Sequence, residues 1–130
     1  MILSLLALVL AGPTDATGVW KTPRGATVRV ERCGPALCGR ILTLAANPSN
    51  SNATDINNAD KSLRSRPLKG LPMLQGFTGG PTKWSGGTVY NPEDGKTYSG
   101  NLELTKPNAL KLTGCAFRIF CKSQVWARVG

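Results

Sequence analysis

The chain of 130 residues carries 16 Lys and Arg against 7 Asp and Glu, has no His, and is 41% hydrophobic and 18% charged. That is the composition of one soluble globular domain, and it excludes a multidomain protein, a disordered tail and a polytopic membrane protein. Without His, Ser-His-Asp and Cys-His catalysis, the common zinc sites and haem ligation by His are excluded as well.

The run from Ile2 to Ala11 is apolar and of signal-peptide length, too short for a membrane-spanning helix of roughly 20 residues. Thr14-Asp15-Ala16 offers a small-x-small cleavage site. Residues 1–16 are therefore expected to form a cleaved signal peptide and residues 17–130 a single domain, periplasmic or secreted. No Lys or Arg follows Met1, so the basic segment that usually opens such a signal is missing. A buried N-terminal strand or helix is the other reading, and Gly12-Pro13 would break it.

From Ala26 onward the residues alternate, with Val28 and Val30 on one side and Thr27, Arg29 and Glu31 on the other, the period of a half-buried strand. Cys38 to Leu44 returns as its hairpin partner. Ala45 to Pro67 is a long connection rich in Asn, Ser and Asp, with one helical turn expected near Asp60 to Arg64. Leu71 to Phe77 is a weaker strand. Trp84 to Asn91 and Lys96 to Leu104 flank Pro92-Glu93-Asp94-Gly95, in which Pro presets the first turn position, Asp favours the turn and Gly takes the left-handed position. Lys106-Pro107-Asn108 turns the chain into Ala109 to Cys115, with Leu110 and Leu112 inward, and Ser123 to Val129 closes it. With Val19 to Thr22 at the start this makes about eight short strands joined by tight turns. An all-β, antiparallel up-and-down barrel or sandwich with one long polar loop is the economical architecture.

An exported chain makes disulfides the natural fate of its four cysteines. Cys33-Gly-Pro-Ala-Leu-Cys38 places two thiols either side of a Gly-Pro turn, and Cys115 and Cys121 bracket a second short loop containing Phe117 and Phe120. Nearest-neighbour pairing, Cys33 with Cys38 and Cys115 with Cys121, is the expectation among three connectivities. Each such loop would contribute roughly 2 kcal/mol in the entropy model. A zinc site built from all four cysteines lacks C-x2-C spacing, and no metal is expected. Asp55, Asn57 and Asp60 resemble a calcium loop only superficially, since Ala59 stands where a ligand is needed and no bidentate Glu follows.

Gly18-Val19-Trp20 opens the first strand and Trp126-Ala127-Arg128 closes the last. In an up-and-down barrel these strands are neighbours, so Arg128 can lie across the Trp20 indole as a barrel-closing cation–π pair. Here the chain resembles the calycin superfamily of lipocalins, avidins and fatty-acid-binding proteins, in which Gly-x-Trp and a distal Arg occupy that corner. Asn57-Asn58-Ala59-Asp60, Arg64 to Pro72, Trp84 to Tyr98 and Ser123 to Arg128 together resemble a bacterial secreted family, the domain of unknown function 2147. That resemblance implies an exported, compact, calycin-like fold without an established activity. The family pattern often has Cys where this chain has Lys69 and Pro where it has Ala59; the first departure removes an extra thiol and supports local pairing of the remaining four.

Three functional classes follow. The leading one is a binding protein for a small, partly apolar and anionic molecule, without cofactor. Its apolar tail would enter an interior supplied by Val28, Val30, Leu102, Leu104, Leu110 and Leu112. Trp84, Tyr90 and Tyr98 are read either as hairpin aromatics packing the core or each other, or as pocket lining; Arg64 and Arg66, the local basic group in the long loop, are the candidates for the acidic head. Asp60 with Arg64 and Arg66 can equally be an ion pair that anchors the loop. The second class is a solid-barrel interaction module whose basic surface meets an anionic envelope component such as phospholipid head groups or lipopolysaccharide. An enzyme, the third, would have to work with Glu31, Asp55, Asp60, Glu93, Asp94 and Glu103, and is not expected. Nucleic acid is not expected as a partner, since no aromatic residue interleaves Lys61, Arg64, Arg66 and Lys69.

Overall fold

The structure is a computed structural model that describes residues 15–45 and 52–130. Most of the expected signal peptide, residues 1–14, and part of the long connection, residues 46–51, lie outside the described residues. Eight strands form a closed antiparallel barrel: β1 (Gly18–Lys21), β2 (Thr27–Cys33), β3 (Ala36–Thr43), β4 (Pro72–Gly79), β5 (Lys83–Asn91), β6 (Lys96–Lys106), β7 (Ala109–Ala116) and β8 (Phe120–Arg128). Each strand pairs with the next. The ring closes from β1 to β8, with Trp20 opposite Arg128 and Lys21 opposite Ala127.

Alternation decides which side chains enter. Val28 and Val30 on β2, Leu102 on β6, Leu110 and Leu112 on β7 and Trp126 on β8 are buried, while Arg29, Glu31, Asn101 and Val125 between them are exposed. The β5–β6 hairpin follows its turn chemistry: Asn91 lies opposite Lys96, Gly95 takes a φ of 72°, and its N–H donates to the Asn91 carbonyl at 2.8 Å.

An eight-stranded barrel is just wide enough to be filled by side chains or to hold one small ligand. This one is filled. Trp20, Leu74, Phe77, Leu110 and Trp126 have 0% of their surface exposed, which leaves no water-sized space beside them. Phe77 does much of the filling, because it lies over two glycines that face each other across β5 and β6. A Cβ at Gly87 would come within 2.5 Å of the Phe77 ring, and one at Gly100 within 2.7 Å of Val89 and 3.1 Å of that ring. The missing side chains are thus replaced by an aromatic ring from a third strand.

The long connection has one 3-10 turn, Lys61–Leu63, capped by Asp60, whose carboxylate accepts from the Ser62 N–H at 2.9 Å. Its two arms meet through the Thr54–Pro67 bridge and through the Asp55 N–H, which donates to the Arg66 carbonyl. Among the described residues no helix is long and apolar enough to cross a membrane.

Candidate functional site

One end of the barrel is sealed by Arg128. Its guanidinium lies 4.4 Å from the Trp20 ring centroid and donates to three carbonyls: Nη1 to Thr17 at 2.7 Å, Nη2 to Asp15 at 2.7 Å and Nε to Pro107 at 2.8 Å. The Trp20 indole N–H donates to the Ala16 carbonyl at 2.9 Å. Gly18 belongs to this corner for two reasons: its φ is 139°, and a Cβ there would sit 2.7 Å from the Arg128 Nη1. The expected Trp20–Arg128 pair is therefore present. Asp15 and Ala16, which fall within the segment expected to be cleaved after Ala16, take part in the same corner.

The long loop lies against the outside of the wall, where it makes a polar clamp. Val89 points into the core, so Tyr90 points out, and its hydroxyl donates to the Asp55 carboxylate at 2.6 Å. The same carboxylate accepts from Asn58 Nδ2 and Arg66 Nε, both at 2.9 Å, and Arg66 packs over the Tyr90 ring at 5.4 Å. Asp55 is only 1% exposed. Burial alone would push its carboxyl up, but the hydrogen bonds from Tyr90, Asn58 and Arg66, with the Arg66 charge, outweigh it and hold the carboxyl below the ordinary range. Tyr90 is raised, first by burial and then by the Asp55 carboxylate it serves.

Two sequence expectations are corrected here. The acid that anchors the loop is Asp55, not Asp60: Asp60 caps the 3-10 turn, while Arg64 Nε donates to the Asn58 carbonyl at 2.8 Å. Tyr90 belongs neither to the core nor to the barrel interior, because strand alternation turns it outward. Trp84 packs in the core, and Tyr98 stands half-buried with its hydroxyl on the Asp94 carboxylate. Arg64 and Arg66 are thus drawn together with Asp55 and Tyr90 on the outer wall, away from Trp84. The local sequence could not have singled out Asp55, since its partner Tyr90 is 35 residues downstream.

The connections β1–β2, β3–β4, β5–β6 and β7–β8 share the other end, as an up-and-down topology requires. Arg24 and Glu93 form an ion pair at 2.7 Å there, reaching between turns on opposite sides of the ring. Both disulfides, Cys33–Cys38 and Cys115–Cys121, are formed, one in each of two hairpins. The second staples the base of a loop that exposes Phe117, Ile119 and Phe120 to 87%, 73% and 67%. Sequence reasoning treated this loop only as the span of a disulfide; the further signal was an apolar run at a turn, where Asn-Gly or Asp-Gly is the usual choice.

Two clefts, of about 410 and 170 Å³, are both on the outer surface. The larger is lined by the outward residues Lys83, Ser85, Asn101, Glu103, Lys111 and Thr113 of β5 to β7, together with Trp84 and Leu102 between them. The smaller lies beside the clamp, between Arg66, Gln75, Thr88, Tyr90 and Thr97. The only buried polar residues among those described are Asp55 and Asn58, and both belong to the loop outside the barrel.

A closed eight-stranded up-and-down barrel whose first-strand Trp is covered by a last-strand Arg has the lipocalin-like fold. The solved structure of HP1028 from the human pathogen Helicobacter pylori, described as belonging to the lipocalin family, superposes with a TM-score of 0.78 at 22% identity, over 91% of this chain and 85% of that one. This likeness concerns the fold. The chain belongs to the bacterial family described as uncharacterized proteins conserved in bacteria, DUF2147, whose sequence profile matches residues 18–128. No curated protein matches it in sequence.

Proposed function

We propose that this protein is a non-catalytic, extracytoplasmic interaction module whose barrel is a solid scaffold and whose partners meet its outer surface. The observation that carries this reading is the filled interior: Trp20, Phe77 and Trp126 are wholly buried. A ligand site is a concavity with a few polar groups that fix orientation. Wholly buried apolar side chains occupy the barrel interior instead, and the two clefts described above open on the outer surface. Of the apolar residues expected to receive a ligand tail, Val28, Val30, Leu102, Leu110 and Leu112 are buried in one core cluster and Leu104, partly buried, packs against it.

Two disulfides and the apolar segment from Ile2 to Ala11 support an oxidising, extracytoplasmic location. The non-catalytic reading is supported by the engagement of the carboxylates. Asp15, Asp55, Asp60 and Asp94 accept hydrogen bonds from neighbouring groups and Glu93 is paired with Arg24, so little is left for acid–base work.

The test is titration with an environment-sensitive fluorescent fatty acid, read by its own emission and by energy transfer from the buried tryptophans. The expected result is no saturable binding. Saturable one-to-one binding with transfer from Trp20 or Trp126 would overturn the solid-scaffold reading and return the protein to the ligand carriers.

A further inference from the structure

The β7–β8 loop is built against the rules for its own turn. Phe117 and Arg118 have φ values of 54° and 64°, the left-handed region that bulky L-residues avoid, and the Ile119 N–H donates back to the Ala116 carbonyl at 3.3 Å. Turns of this shape normally use Asn, Asp or Gly. Here the chain instead places Phe117, Ile119 and Phe120 at the apex of a hairpin, almost fully in water, and ties the base with Cys115–Cys121. Three large apolar side chains held in solvent by a strained turn form a surface for something else to cover.

Charge says what covers it. From Leu104 to Gly130 the chain has no Asp or Glu, and of the five cations in that stretch Arg118 and Lys122 belong to the tip, while Lys106 and Arg128 lie toward the sealed end. Arg118 sits in the apex itself, and Lys122 follows the disulfide. The β3–β4 connection, which exposes Ile56 to 68% and carries Lys61 and Arg64, opens at the same end but on the opposite side of the ring. An apolar point with one cation in its apex and another beside its base matches a bilayer surface: the rings enter the boundary between headgroups and acyl chains while Arg118 and Lys122 stay among anionic headgroups. A protein partner would call for a broader and flatter patch, since stable interfaces bury about 800 Å² on each side.

We propose that the Phe117–Phe120 tip docks this protein on phospholipid bilayers that carry anionic headgroups. The proposal rests on the solid-scaffold reading for its meaning, in that the outer surface is where the protein works, but it stands on its own observations.

The experiment is flotation of the full chain with vesicles of equimolar phosphatidylglycerol and phosphatidylcholine, against vesicles of phosphatidylcholine alone. The comparison variant is Phe117→Ser/Ile119→Ser/Phe120→Ser, which shares the same N-terminal segment, so any difference belongs to the tip. Binding to the anionic vesicles is expected, weaker by about tenfold or more on phosphatidylcholine and by about tenfold or more for the triple variant. A second measurement does not depend on the triple variant folding: in Phe120→Trp, brominated acyl chains should quench the new indole and leave the three native ones, inside the barrel, untouched. Equal binding by the parent and a folded triple variant would overturn the proposal, and so would an unquenched Trp at position 120. Tip-dependent self-association without vesicle binding would assign the surface to a second copy and also refute it. Fatty-acid binding in the earlier titration would overturn the scaffold reading alone.

Discussion

The corner at Trp20 and Arg128 allows the most direct test of how this barrel is held shut. Arg128→Ala removes one guanidinium that serves three carbonyls and one indole. The carbonyls of Asp15 and Thr17 are partly buried, and each lost bond costs about 1 kcal/mol. The Pro107 carbonyl is exposed and takes water in exchange, so that bond adds little. The cation over the ring adds about 0.5–1 kcal/mol. The total is about 2–3 kcal/mol, against about 3–5 kcal/mol for Trp20→Ala, which deletes a wholly buried indole. For a domain of this size that corresponds to a melting point lower by about 8–12 °C. Arg128→Lys should fall between, because an ammonium keeps the charge over the ring but cannot reach all three carbonyls. Urea unfolding followed by tryptophan emission measures the stabilities, and a cycle with Trp20→Phe isolates the cation–π share. A stability for Arg128→Ala within about 0.5 kcal/mol of the parent, the range of an ordinary surface change, would refute the reasoning.

Asp55 should give the loop clamp a signature in acid. Its carboxyl is held below the ordinary aspartate value of 3.8 in the folded chain, so its stabilising contribution is complete above the unfolded value and is lost as pH falls through the folded one. Asp55→Asn should cost about 2–3 kcal/mol at neutral pH, the difference from the parent shrinking below about pH 4; an undiminished gap at low pH would dismiss the linkage. Mass spectrometry of the protein, without reduction, should find no free thiol, with Cys33 joined to Cys38 and Cys115 to Cys121. A bridge between the two hairpins would contradict the fold. The same spectra should place the mature N-terminus at or before Asp15, since the carbonyls of Asp15 and Ala16 are bonded into the sealed corner; a chain beginning at Thr17 would show that corner to be dispensable.

The strands were legible because each one carries its own evidence. Alternation in Val28-Arg29-Val30 and in Leu110-Lys111-Leu112 states both the period and the buried face, and Pro92-Glu93-Asp94-Gly95 dictates its turn through backbone preferences of the residues themselves. The Gly18-Val19-Trp20 opening and Arg128 near the end fixed the corner, because a closed up-and-down ring makes the first and last strands neighbours. Local disulfides followed from short spacing across two such hairpins.

Whether the barrel is hollow was decided elsewhere. Along the chain nothing sets Gly87 and Gly100 apart within their strands, and Phe77 only ends a weaker one; across three strands the ring becomes the filling that those glycines admit. The anchoring acid was hidden for the same reason. Asp60 had cations close by in sequence, whereas Asp55 depends on Tyr90 from a hairpin that must fold first and then be covered by the loop. Tyr90 itself was legible as an aromatic strand residue but not as an outer one: an even alternation would put it on the face of Trp84, and the register shift between Trp84 and Gly87 turns it to the other. Propensity and period act over a few residues and so can be read along a chain. Cavity volume, and the choice among competing charge partners, are sums over neighbours distant in sequence, and they take values only once the ring has closed.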